Sequence, residues 1–444
     1  MIKKFLLLSL VVSQLTISCS SDESASETDQ TLAEQIANIV KQPYSKLTPT
    51  EQKVKLESEA NEMLVQLDKS KTSSAIEALE NLTRLLDLSS VDIFSGKNEN
   101  EVEDILNVSG VYGIYTWNNT GKKWTKTAST TELKFVFPAK ESQTANNASF
   151  SSKAVSSDIK VKVVDTYDWQ TDVEINDFFF LPLSADAVLT IDNVQAATFN
   201  QTAKYANGKE IPNEFAYKMS VNDGYAWEMS STKATENTAK ASLTYNGKNL
   251  IEFNSGSTAQ IDALIDNDEL VQYRGKANGL FKLMDNFVIV ADMDLATQAT
   301  DDAALEKTIT YPNSPDYQSA NADYKAYYTA ENTYNQKYSE GHAASFNKNL
   351  KFILVSKKDG TKIADVVQHA EVVDSYNREL PVWNAKDKYW SYNGTGGTFV
   401  SKNYDEVLYL KFSDNTEVEM SAYFSEGFDK LTAKFEDFIA AFEK

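Results

Sequence analysis

In Ile159-Lys160-Val161-Lys162-Val163, apolar and charged side chains alternate with a period of two. Such alternation places every second residue on one face, as in a β-strand with one side buried. Leu350-Lys351-Phe352-Ile353-Leu354-Val355 and Val407-Leu408-Tyr409-Leu410-Lys411-Phe412 read as further strands. Between runs of this kind stand five dipeptides: Asn207-Gly208, Asp223-Gly224, Asn246-Gly247, Asp359-Gly360 and Asn393-Gly394. Asn or Asp followed by Gly accepts the positive φ angles that tight hairpins need, so each marks a turn. From about residue 110 the chain therefore reads as a meander of long antiparallel strands. The Ser-, Asn- and Ala-rich stretch from Lys140 to Ser157 is expected to be a loop or a break between sheet segments.

Helices flank the meander. Thr48-Pro49-Thr50-Glu51 supplies an N-cap, a Pro at N1 and a Glu at N3, and Val54, Leu56, Met63, Leu64 and Leu67 follow at mostly helical spacing. Ser74 with Glu77 repeats the arrangement ahead of Leu79, Leu82, Leu85 and Leu86, and Leu32 to Val40 forms a shorter helix before Pro43. Near the other end, Phe428, Leu431, Phe435, Phe438, Ile439 and Phe442 share one apolar helix face. The fold class expected is α+β: a long antiparallel β-meander, curved, covered by N-terminal helices and a C-terminal helix. The segments expected are a signal at 1–18, a disordered acidic tether at 19–30, helices at 31–94, a β-rich body at 95–424 and the C-terminal helix at 425–444.

With 42% hydrophobic and 24% charged residues, the 444-residue chain has the balance of a soluble globular protein. Its net charge of −21 argues against nucleic acid, because a polyanion is held by clustered Lys and Arg, and no such cluster is present. A single Cys and two His, His342 and His369, remove most metal and thiol chemistry. There is no Gly-x-Ser-x-Gly elbow, no His-Glu-x-x-His pair and no Gly-rich phosphate loop, so no cofactor is expected. Asp266-Asn267-Asp268-Glu269 and Asp292-Met293-Asp294 lack EF-hand spacing and read as solvated turns. Among 64 acidic residues no catalytic carboxylate pair can be named.

The sole Cys decides the location. Lys3-Lys4, the apolar run Phe5 to Val12, and Leu15-Thr16-Ile17-Ser18 before Cys19 make an export signal too short to span a bilayer. This arrangement resembles a bacterial lipoprotein signal, and Thr16 in place of the common Leu resembles the looser form found in Bacteroidota. The resemblance implies that Cys19 becomes the first mature residue and carries acyl chains, which are then the membrane attachment. Ser21-Asp22-Glu23 resembles the Ser-plus-acidic surface-export signal of some such lipoproteins, implying an outer-membrane, surface-displayed protein.

Two segments share a spacing: Trp117-Asn118, three residues, Lys122, one residue, Trp124; and Trp383-Asn384, three residues, Lys388, one residue, Trp390. Each pair of indoles can meet across a short hairpin. Such a pair is either a hairpin staple or an aromatic platform for a sugar ring. Gly113 to Asn118 through Trp124-Thr125 also resembles a segment common in flavobacterial lipoproteins of uncharacterised activity, which adds taxonomy rather than mechanism. Between Asp316 and Gly341, a helix of about 100° per residue would gather Tyr317, Tyr324, Tyr327, Tyr328, Tyr334 and Tyr338 within roughly 120°. These rings either pack on the sheet with hydroxyls at its wet edge or form an exposed stripe.

The functional expectation is a non-enzymatic, outer-membrane-anchored lipoprotein binding a partner protein or polymeric ligand, with Trp117, Trp124, Trp383, Trp390, Tyr324 and Tyr328 as candidate contacts. A saccharide, a lipid or a protein could be that ligand. A lipid or amphiphile carrier, with Phe178, Phe180, Leu181 and Leu183 lining an apolar groove, is the alternative, and a carbohydrate-active hydrolase a third.

Overall fold

The computed structural model describes residues 31–89, 105–106 and 112–424, apart from 172, 268 and 285. Cys19, where lipidation is expected, and the segments expected to be signal and tether lie outside these residues, as do 425–444, where the C-terminal helix is expected. Three helices come first: α1 (Leu32–Val40), α2 (Pro49–Asp68) and α3 (Ser74–Leu88). α2 starts as its sequence dictates: Thr48 N–H donates to Glu51 Oε2 at 2.8 Å while Thr48 Oγ1 accepts from Glu51 N–H, and Pro49 fills N1. α3 is capped one residue earlier than its spacing suggests, by Ser73, whose Oγ accepts from Ile76 N–H. Ser74 is the first helical residue.

Among the described residues seventeen strands join one sheet. β1 (Ile105–Leu106) runs parallel to β6 (Val173–Ile191), and β2 (Gly113–Asn118) pairs antiparallel with β3 (Lys123–Thr127) and parallel with β4 (Leu133–Phe137). From β4 the strands follow in chain order, each antiparallel to the last. They are β5 (Ala148–Asp168), β6, β7 (Val194–Lys204), β8 (Glu214–Val221), β9 (Tyr225–Thr232), β10 (Asn237–Tyr245) and β11 (Lys248–Ser257). β12 (Lys276–Leu283), β13 (Phe287–Asp294), β14 (Leu350–Ser356), β15 (Thr361–Glu379), β18 (Thr398–Lys411) and β19 (Glu417–Glu419) complete it. A separate pair, β16 (Val382–Asn384) with β17 (Tyr389–Ser391), sits between β15 and β18. Three more helices, α4 (Ile261–Asp266), α5 (Leu295–Thr308) and α6 (Tyr324–Asn349), interrupt the meander.

The fold is the α+β meander expected, with local corrections. Ala148 to Ser157 is not a loop but the first half of β5, because Phe135 and Leu189 flank Phe150 across the ladder and its ring packs edge-on against Phe199 at 5.6 Å. Tertiary pairing overrides the weak strand preference of Ser and Ala there. Asn246-Gly247 closes a two-residue hairpin with φ of 50° and 73°. Asp223-Gly224 and Asp359-Gly360 also join neighbouring strands, whereas Asn207-Gly208 and Asn393-Gly394 lie within longer loops. The β6–β7 hairpin instead turns through Asp192 and Asn193, both at positive φ, without a glycine.

The helices cover both faces of the sheet. On one face Met63 and Leu67 of α2 and Leu82, Leu85 and Leu86 of α3 pack over Phe135, Leu189, Phe199 and Leu243. On the same face Leu56 packs with Phe287, Leu354 and Tyr423. Strand alternation sends Leu280, Val288 and Val290 to the opposite face, where Ile36 of α1 covers them. Each fully buried side chain of this size contributes ~1.5–3 kcal/mol.

Candidate ligand-binding site at the ribbon end

β15 pairs with β14 only as far as Val366 and from there keeps β18 as its sole partner strand. From Val366 to Arg378 this two-stranded ribbon continues for about 40 Å at ~3.3 Å per residue. α6, 26 residues long and about 39 Å at 1.5 Å per residue, lies along it as a strut. Two asparagines clip it to opposite edges. Asn347 Nδ2 donates to Gln368 C=O and its Oδ1 accepts from Gln368 N–H, both at 2.8 Å. Asn332 Nδ2 donates to Val400 C=O at 2.9 Å and its Oδ1 accepts from Lys402 N–H at 3.0 Å. Each amide thus satisfies backbone groups that a neighbouring strand would otherwise take.

The ribbon ends in an aromatic cluster. Trp383 and Trp390 are directly opposed in the β16–β17 hairpin, ring centroids 5.7 Å apart and planes inclined at 61°. Tyr324, at the start of α6, meets Trp390 edge-on at 4.9 Å and lies 6.2 Å from Tyr328. Trp390 Nε1 donates to Ser319 C=O at 3.0 Å, which fixes the indole. Arg378, one of three arginines in the chain, lies 4.3 Å above the Tyr328 ring and pairs with Glu331 at 2.7 Å. Such a cation–π contact adds ~0.5–2 kcal/mol. Burial, then the Tyr392 hydroxyl beside it, pushes Tyr328 up to about 12. The Glu331 carboxylate, accepting from Tyr311 O–H, pushes Tyr311 well above the usual tyrosine range.

Around this frame stand Tyr317, 69% exposed, Tyr392, 60%, and Tyr389 and Tyr311, each 49%. Gly396 lets the loop into β18 close: a Cβ there would lie 1.8 Å from Leu380 O. Beside the cluster, the segment Thr308–Pro312 and α6 enclose an open groove of about 750 Å³ with Ala326 and Ala330 on its floor.

Four of the six aromatic candidates, Trp383, Trp390, Tyr324 and Tyr328, are therefore brought together. The other two are elsewhere. Trp117 is 2% exposed and meets Trp124 edge-on at 5.2 Å in the core cluster to which α3 contributes, where Trp124 also packs on Phe135. The tyrosine stripe is divided. Tyr317 precedes the helix, which begins after the N-cap Asp323, and Tyr328 is buried against Phe399. Of the proposed groove residues, Leu181 is buried and Leu183 is 40% exposed, while the side chain of Phe178 lies outside those described. Sequence reading missed Arg378, Tyr389 and Tyr392. The signal was there: Ser391-Tyr392-Asn393-Gly394-Thr395-Gly396-Gly397 and Tyr311 to Tyr324 are rich in Tyr, Ser, Asn and Gly, the composition of adaptable binding loops.

Comparison with known proteins finds no family model, no curated protein and no solved structure that matches the chain.

Proposed function

We propose that this chain is an outer-membrane protein, anchored by acyl chains on Cys19 and displayed at the cell surface, that binds a partner protein or a polymeric ligand at the ribbon end. One observation carries this reading: half-exposed tyrosines from two loops converge on a rigid frame of Trp390, Tyr324, Tyr328 and Arg378. Tyrosine offers a large amphipathic contact at low entropic cost, and a frame ordered in advance lowers the cost of binding. Binding rather than turnover is favoured because the charged groups of the frame are committed to one another: Glu331 serves Arg378 and Tyr311, and Glu379 accepts from Gly394 N–H. The end also lies away from α1, the helix nearest the tether, which packs under β11–β13.

The test is photo-cross-linking on intact cells, with a benzophenone residue in place of Tyr392 or of Val194, which is 65% exposed at the β6–β7 turn. A discrete adduct from position 392 alone is expected. Equal adducts from both positions, or none, overturn the reading. In the same cells Cys19→Ala should release the chain from the membrane fraction, and external protease should degrade the Cys19 form.

A carrier reading has one observation in its favour. Phe253, Phe281 and Ile289 stand side by side across three strands, 42%, 37% and 38% exposed. Native mass spectrometry of detergent-free protein with a stoichiometric lipid adduct would favour the carrier, and a clean apo mass would count against it.

A further inference from the structure

The groove beside the aromatic cluster has a donor and acceptor pattern of its own. Thr308 Oγ1 donates to Leu305 C=O at 2.9 Å, Thr329 Oγ1 to Lys325 C=O at 2.8 Å and Thr333 Oγ1 to Thr329 C=O at 2.9 Å. With their protons spent on the backbone, these three hydroxyls face the groove as acceptors only. From Thr329 onward the backbone of α6 is paired within the helix and offers no donors there. The charged donors are the ammonium groups of Lys325 and Lys337, and neither forms an ion pair with a described carboxylate; Thr310 and Tyr334 add one hydroxyl each to the lining. Asp323, the one acidic side chain of the lining, is already the N-cap of α6 and accepts from Ala326 N–H at 2.8 Å. On a chain of net charge −21, this groove is locally cationic.

We infer that the groove between α6 and Thr308–Pro312 takes an acidic polysaccharide, a polyhydroxylated chain with widely spaced carboxylates. The inference rests on the reading of the ribbon end as a binding end and supplies its ligand class. A sugar chain presents hydroxyl donors along its length, which the threonine oxygens accept. Lys325 and Lys337 are twelve residues apart and so ~18 Å along the helix axis. That spacing suits sparse charge. It does not suit a nucleic acid strand, with a phosphate every ~3.4 Å. Tyr334, held between Tyr311 at 5.0 Å and Tyr338 at 5.7 Å, supplies an ordered ring at the wall for the apolar side of a sugar.

The experiment is affinity electrophoresis of the mature chain through native gels containing hyaluronan, alginate or chondroitin sulfate, with carboxyl-reduced hyaluronan as the uncharged control. At least one acidic polymer should retard the chain. The retardation should weaken as salt rises from about 50 to about 500 mM and should fall at least about tenfold in apparent affinity for Lys325→Gln/Lys337→Gln at an unchanged melting temperature. The overall negative charge works against adventitious adsorption of a polyanion, which makes a positive result specific. No retardation by any of the three, or retardation untouched by the lysine pair, overturns the inference. Cross-linking from position 392 separates the two levels. If cross-linking from position 392 succeeds while the polysaccharides fail, the ribbon-end reading stands and the ligand class falls. If both fail, both fall.

Discussion

Trp117 and Trp383 open hairpins of one design that end in different surroundings. In each, Trp-Asn is followed by three residues, a Lys at positive φ (48° for Lys122, 54° for Lys388), one residue and a second Trp in register with the first. In each, the Asn closes the turn: Asn118 Oδ1 accepts from Gly121 N–H at 2.8 Å, and Asn384 Oδ1 accepts from Lys386 N–H at 3.0 Å. The indoles cross at 67° in one and 61° in the other. Yet the first pair lies in the core cluster to which α3 contributes, and the second stands at the ribbon end, next to Tyr389 and two residues from Tyr392. The local sequence builds the aromatic pair; the elements packed around it decide whether the pair is sealed in the core or joins the half-exposed aromatic cluster of the ribbon end.

The largest difference between the hairpins should appear in stability. Trp117→Ala empties a buried site and should cost ~3–5 kcal/mol, read as a fall in the urea midpoint. Arg378→Met comes next. It leaves Glu331, 14% exposed, without its cation, at ~1.5–3 kcal/mol, and should loosen the α6 strut in hydrogen exchange while α2 and α3 stay protected. Lys122→Gly and Lys388→Gly should each change stability by less than ~1 kcal/mol, and by similar amounts, because both relieve the same left-handed backbone. Unequal effects would break the equivalence of the turns.

A smaller effect separates the body from the ribbon by pH. The Lys55 ammonium, with Ser356, holds the Asp359 carboxyl below the usual range and ties α2 to the β14–β15 turn. The unfolded chain therefore takes up this proton first as pH falls. The contribution is complete above the unfolded-state value of ~3.9 and is lost as pH drops through the lower folded-state value. Asp359→Asn should accordingly lose less stability than the parent between about pH 5 and pH 3, measured by urea titration, with ribbon exchange rates unaffected.

The sequence made the meander legible because period-two alternation and Asn-Gly turns are local signals. It made α2 legible because Thr48, Pro49 and Glu51 write a cap into four residues. The strand at Ala148 was not legible, since Ser and Ala acquire strand conformation there only from Phe135 and Leu189 on either side. In the same way the Trp repeat announced two hairpins, but nothing local distinguishes the buried one. That distinction depends on α3, whose helix lies about 30 residues upstream of Trp117, and on α6, whose Tyr324 reaches Trp390. Arg378 was overlooked because its partners, Glu331 on α6 and Tyr376 two residues before it, come together only once the ribbon and strut are assembled.

The most direct test uses equivalent positions of the two hairpins. Lys123 and Tyr389 each precede the second Trp and are both exposed. A benzophenone residue placed at one or the other, on intact cells, samples the same position of the same motif in two settings. A ligand adduct from position 389 and none from 123 is the predicted result; an adduct from 123, or equal yields from both, would contradict the assignment of binding to the ribbon end.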